Sequence, residues 1–148
     1  MRISTRARYG LRLMLDLALK HGKGPIFLKE VSRSQEISEK YLSNLINPLK
    51  ATGLLEATRG VHGGYVLGKA PTEITMKDIV QAVEGPVCLV DCVEKPSVCN
   101  RASLCIAHEL WREAADGIAR VLEKYTLADM VERQKAKRDN VTQDNYSI

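Results

Sequence analysis

Between Ser38 and Lys69 the chain reads SEKYLSNLINPLKATGLLEATRGVHGGYVLGK, and this stretch restricts the fold more than any other. Ser38 is an N-cap residue type, and Tyr41, Leu42, Leu45, Ile46 and Leu49 recur at helical spacing on one face. Lys40, Ser43, Asn44 and Asn47 are left on the other face. Pro48 lacks an N–H and crowds the carbonyl of Asn44, so a kink is expected there. Gly53 closes the helix. Two short β-prone runs come next, LLEATRG and GGYVLGK, joined by VHGG. Gly63 and Gly64 supply the permissive backbone that a tight hairpin needs.

Upstream, Ser4 to about Lys20 reads as a capped helix, with Leu13 and Leu17 on one face and Met14 and Ala18 beside them. HGKGP, His21 to Pro25, ends it, and a short helix from about Leu28 to Arg33 comes after it. Short helix, turn, longer helix and hairpin is the order of a winged helix-turn-helix, in which the second helix enters the major groove of DNA. Charge agrees with that reading. Residues 1–70 hold 12 Lys/Arg against 5 Asp/Glu, and residues 71–148 hold 10 against 13. A basic first half suits a polyanion. The expected DNA-contacting residues are Ser38, Lys40, Tyr41, Ser43 and Asn44 on the recognition helix, which offer donors and acceptors to base edges. Arg59 and Gly60 join them in the wing, where a guanidinium can enter a narrow minor groove.

Downstream, Thr75 to Glu84 forms a capped helix that Gly85-Pro86 stops. A long helix is expected from about Ser103 to Tyr125. Leu104, Trp111, Ile118 and Tyr125 fall at sevens, with Ala107, Ala114 and Val121 between them, an a/d seam three heptads long. A seam of this kind fits a twofold homodimer. Thr126 to Lys137 reads as one more helix. The expected fold is therefore mainly α. A winged helix-turn-helix domain spans 1–84 with a small two-stranded β-wing, and a cysteine-containing loop spans 85–102. The dimerisation helix and a C-terminal helix span 103–137, and a loose tail spans 138–148.

The cysteine loop carries the chemistry. Its spacing is Cys92-x6-Cys99-x5-Cys105-x2-His108, with Cys88 outside the pattern as either a spare ligand or, the favoured reading, a small buried hydrophobe. No close-spaced C-x2–4-C knuckle of a structural zinc site is present. Thiolates favour iron–sulfur clusters, and an imidazole can replace one thiolate. Cys105 and His108 project on the same side at the start of the long helix, whose N-terminus favours a thiolate. A metal-free dithiol/disulfide switch and a zinc site remain alternatives at this level. No apolar run is long enough to cross a bilayer, and Arg12 and Asp16 interrupt the nearest candidate for a signal peptide. The expectation is a cytoplasmic protein with reduced thiols. No acid–base pair or nucleophile constellation suggests an enzyme.

STRARYGLRLMLDLA, ISEKYLSNLINPLKATGLLEATRGVHGGYVLGKAP and YTLADMVE together resemble the IscR, NsrR and CymR family of bacterial regulators, also called the Rrf family. The likeness extends to about Gln134, and the wing signature RGxxGGYxL, Arg59 to Leu67, is quite specific. It implies a homodimer that controls transcription at an operator in double-stranded DNA. The cysteine segment is most similar to IscR-like members, which implies a [2Fe–2S] cluster held by Cys92, Cys99, Cys105 and His108, although the first interval is x6 here rather than x5. NsrR-like members use a carboxylate at the position of Arg8, which cannot serve, and CymR-like members lack the cysteines. Lys40 and Ser43 replace the Ser and Glu of IscR-like recognition helices, so operator preference does not carry over, whereas Arg59 matches.

Overall fold

The computed structural model describes residues 2–146. Helix α1 (Thr5–Leu19) begins where the Ser4 side chain accepts a hydrogen bond from the Ala7 N–H at 3.0 Å. Its apolar face buries Ala7, Leu13, Met14, Leu17 and Ala18. Two helices come next, α2 (Leu28–Gln35) and α3 (Glu39–Ala51), and the turn between them places Glu36 in the left-handed region at φ 54°. Ser38 caps α3 by accepting from the Tyr41 N–H at 3.2 Å. The helix continues across Pro48 and ends three residues later, where the Thr52 N–H donates to the Pro48 carbonyl. Leu42, Leu45, Ile46 and Leu49 are its buried stripe, as the periodicity predicts.

Strands β1 (Leu55–Thr58) and β2 (Gly64–Leu67) pair antiparallel, Leu55 opposite Leu67 and Thr58 opposite Gly64. The hairpin is wider than its two strands. Ile26, just before α2, forms an isolated bridge with Tyr65, with N–H to carbonyl distances of 3.0 and 2.9 Å in the two directions. The wing is thereby tied to the chain entering the helix-turn-helix. A 3-10 turn (Pro71–Glu73) leads to α4 (Met76–Glu84), capped by the reciprocal Thr75 and Asp78 pair at 3.1 and 2.8 Å.

After Gly85 the cysteine segment is a run of single turns rather than one open loop: α5 (Asp91–Glu94) and two 3-10 turns, Pro96–Val98 and Ala102–Leu104. The long helix α6 (Ile106–Lys124) starts after Cys105, three residues later than its sequence suggests. The chain then turns back through Tyr125 and Thr126 into α7 (Leu127–Tyr146). That junction is clamped to the start of α4: the Met76 N–H donates to the Tyr125 carbonyl and the Leu127 N–H to the Ile74 carbonyl, both at 2.8 Å. Ile74 and Leu127 are fully buried beside Leu13, Met14, Leu42, Leu49 and Ile79 in one core. The loose tail expected over 138–148 is corrected for its described part, because α7 runs on to Tyr146. No Gly or Pro lies between Leu127 and Tyr146, so nothing in the backbone stops the helix, and polarity alone is a poor sign of a coil. Residues 147–148 lie outside the described residues.

Candidate nucleic-acid interface and sensor segment

The recognition helix leaves Lys40, Ser43 and Asn44 exposed, while its opposite side sits in the core. Not all the expected contact residues are equally free. Ser38 Oγ accepts the cap bond from the Tyr41 N–H, and the Ser43 hydroxyl donates back to the Glu39 carbonyl at 2.8 Å. Tyr41 is half-buried and packs edge-to-face on Tyr9 of α1, with ring centroids 5.3 Å apart. Tyr9 in turn carries the guanidinium groups of Arg8 and Arg12 at 5.6 and 5.5 Å from its ring. Arg6 borders one shallow cleft with Tyr41 and Asn44. In the sequence these α1 arginines register only as net charge; their spacing along a helix that crosses α3 is the signal that points to them. In the wing, Arg59 and Gly60 are exposed at the hairpin tip beside His62 and Val61, the last of which is 90% exposed.

A second feature, which sequence patterns do not disclose, lies under the helix-turn-helix. Asp16, 3% exposed, accepts hydrogen bonds from Lys20 Nζ (2.8 Å), Ser34 Oγ (2.9 Å) and Gln35 Nε2 (3.1 Å). Arg12 donates to the Gln35 side-chain oxygen at 3.2 Å and to its backbone carbonyl. Along the chain Asp16 is merely a carboxylate interrupting an apolar run; only the approach of α2 gives it donors.

The four cysteines are half-buried and free of disulfides. Cys88 donates its S–H to the Val90 carbonyl at 2.9 Å, a structural use that agrees with its place outside the spaced set. Cys105 is the residue before α6, and its carbonyl accepts from the His108 N–H at 3.1 Å, so those two lie in one turn. His108 is 8% exposed, and its Nδ1 is buried with no hydrogen-bond partner. An orphaned buried imidazole nitrogen costs free energy and marks a place where a ligand or a rearrangement would satisfy it. The donor chemistry, three thiols and an imidazole, fits an iron–sulfur cluster. The geometry does not preassemble one: among the described residues no three His, Cys, Asp or Glu side chains stand together as a metal-holding group, so Cys92, Cys99, Cys105 and His108 are not gathered.

Along α6, Trp111 and Val121 of the expected heptad seam are uncovered, as are Ile106 and Leu110, whereas Ile118 is half-buried. Leu104 (93% exposed) lies in the 3-10 turn before the helix and Tyr125 just after its end, so the seam within α6 is shorter than its sequence suggests. Ala115 and His108 face inward instead.

A family model described as Rrf2, an iron-dependent transcriptional regulator, matches residues 3–133. The chain belongs to the Rrf2 family of transcriptional regulators. The regulator CymR of Bacillus subtilis (strain 168) is 42% identical over 130 residues, covering 88% of this chain and 89% of that one. IscR of Serratia proteamaculans (strain 568) is 37% identical over 134 residues, covering 90% and 81%. The solved structure of T. potens IscR superposes with a TM-score of 0.75 at 33% identity, covering 90% and 88% of the two chains. The winged-helix fold expected from the element order is thus that of an Rrf2 protein. The chain is similar to both CymR and IscR, so whole-chain identity does not decide what the cysteine segment holds. Among the described residues no helix is long and apolar enough to cross a membrane.

Proposed function

We propose that this Rrf2 protein is a homodimeric, cytoplasmic regulator that binds operator DNA and senses iron–sulfur or redox status through the segment from Cys92 to His108. In this reading α3 enters the major groove with Lys40, Ser43 and Asn44 toward base edges, and Ser38 and Tyr41 hold its N-terminal turn. Arg59 and Gly60 carry the wing to the neighbouring minor groove. The exposed seam of α6 supports pairing with a second copy, and two recognition helices on one face of the duplex require half-sites about 34 Å apart. The four free thiols agree with a reducing compartment.

The observation that carries the sensing half is the buried, unpartnered Nδ1 of His108, one turn from Cys105 and at the root of the apolar helix. Cys92, Cys99, Cys105 and His108 would hold a [2Fe–2S] cluster, which when bound supplies a one-electron redox centre that oxidant or nitric oxide can destroy. The chain's own part is mechanical. Gathering Cys92 and Cys99 toward Cys105 requires the single turns between Asp91 and Leu104 to move relative to α6, and His108 links that movement to the helix. A second reading is a metal-free dithiol/disulfide switch, for which four free, half-buried cysteines are the reduced starting state.

Anaerobic reconstitution followed by absorption spectroscopy and iron and sulfide analysis tests the first reading. Iron and sulfide in the wild type, with an altered spectrum in His108→Ala, supports the cluster. A colourless protein whose thiol count falls on peroxide treatment supports the switch, and a colourless protein with unreactive thiols removes both.

A further inference from the structure

We infer that the polar network around Asp16 is a positioning device for the recognition helix, and that Gln35 is the residue through which it sets operator specificity. The inference deepens the DNA-binding reading and rests on it. Helix α2 buries a single apolar side chain, Val31, with Leu28 half-buried at its first position. One buried anchor on an eight-residue helix resists lifting but hardly resists rotation about the helix axis. The C-terminal end of α2 is held instead by directional bonds. Asp16 takes Ser34 Oγ at 2.9 Å and Gln35 Nε2 at 3.1 Å, and Lys20 at 2.8 Å occupies its other oxygen. Arg12 approaches from the outer side to both the side-chain and backbone oxygens of Gln35. Gln35 is therefore gripped from two positions on α1, four residues apart on one helical face. A guanidinium on the last carbonyl of α2 also complements the negative end of that helix.

The three residues after Gln35 transmit the grip to α3. Glu36 turns the chain at φ 54°, Ile37 is buried, and Ser38 caps α3. Three residues are too short a link to absorb a rotation of α2. Base-edge hydrogen bonds need donor–acceptor distances within a few tenths of an ångström, whereas phosphate contacts by long basic side chains tolerate more. Loosening the network should therefore degrade sequence discrimination and leave general affinity for DNA in place.

The test uses full-length protein, a duplex selected by the wild-type chain from a randomised pool, and an unrelated duplex of equal length. Gln35→Met keeps the bulk of the side chain and removes its polar atoms; Gln35→Ala removes both. The expected result for both is about a tenfold loss of the selected-over-unrelated affinity ratio, the scale of one mismatched base pair, with the salt dependence of binding and far-UV spectrum unchanged. Placing Gln35→Met in an Arg12→Ala background should cost less discrimination than it does in the wild type, because the Arg12–Gln35 side-chain bond is already gone and only the bond to Asp16 is left to lose. A Gln35→Met protein that discriminates like the wild type overturns the inference, and so does a parallel fall in affinity for both duplexes, which would make Gln35 a plain phosphate contact. A wild type that selects no duplex at all defeats the DNA-binding reading and takes this inference with it, an outcome separate from the first two.

Discussion

Gly64→Ala is predicted to detach the wing from the helix-turn-helix, and Gly60→Ala, four residues earlier, is its control. Both glycines have positive φ, 138° and 115° respectively. Each substitution places a side chain on backbone that L residues rarely adopt, at about 1–3 kcal/mol. Their surroundings differ. A Cβ on Gly60 meets nothing within 4 Å, whereas a Cβ on Gly64 would lie 2.7 Å from the Ile26 carbonyl oxygen and 3.0 Å from its nitrogen. Those are backbone atoms, which cannot swing aside like the end of a side chain. Relief must come from parting Ile26 and Tyr65, which loses their two hydrogen bonds of 3.0 and 2.9 Å. At about 1 kcal/mol net for each bond, the expected excess of Gly64→Ala over Gly60→Ala is about 2 kcal/mol. Equilibrium urea unfolding of the three proteins measures it, and amide exchange at Tyr65 locates it. Equal losses for the two variants, or a Tyr65 amide as protected in Gly64→Ala as in the wild type, would refute the argument.

Val121→Asp, on the uncovered seam of α6, should convert the proposed dimer to monomer in sedimentation velocity, since burying two unpaired carboxylates at a shared seam costs several kcal/mol; a variant that stays dimeric would move the interface elsewhere. Asp129 supplies a pH test. The Thr126 N–H and hydroxyl, each 2.8 Å from its carboxylate, hold its pKa below the ordinary 3.8, with Arg133 adding to the effect. A depressed folded value means the contribution is present above the unfolded value and disappears as pH falls through the folded one. The wild type should therefore lose more of its stability than Asp129→Asn as pH falls below the ordinary carboxylate value of 3.8, read by thermal melts followed at 222 nm; parallel losses would show that the cap contributes nothing.

Much of the winged domain was legible because its signals are local. Ser4, Ser38 and Thr75 each cap a helix with the hydroxyl that the sequence pattern assigns to them, and the apolar stripe of α3 is buried at Leu42, Leu45, Ile46 and Leu49, with Tyr41 at its edge only half-buried. The wing's two strands are legible from β-prone runs and paired glycines, but its third partner, Ile26, is not, because a single bridging residue has no period. Asp16 was opaque for a related reason: its meaning depends on Ser34 and Gln35, some eighteen residues away. Over the described part of the tail, polar composition suggests a coil, whereas the lack of a helix breaker lets α7 continue to Tyr146. In the sensor segment the spacing of Cys92, Cys99, Cys105 and His108 names candidate ligands, yet spacing sets an upper limit on reach and not a conformation. The short turns that keep them apart could not be read from it.

The clamp between Ile74–Met76 and Tyr125–Leu127 ties the C-terminal end of α6 to the start of α4. In the proposed dimer each α6 then acts as a lever arm keyed to its own reading head. Its 19 residues span roughly 28 Å, so a tilt of about 5° at the end near His108 displaces the other by about 2.5 Å, comparable to the 3.4 Å rise of one base pair. A disturbance too small to change any fold could in this way shift the pair of heads out of step with the helical repeat of the duplex.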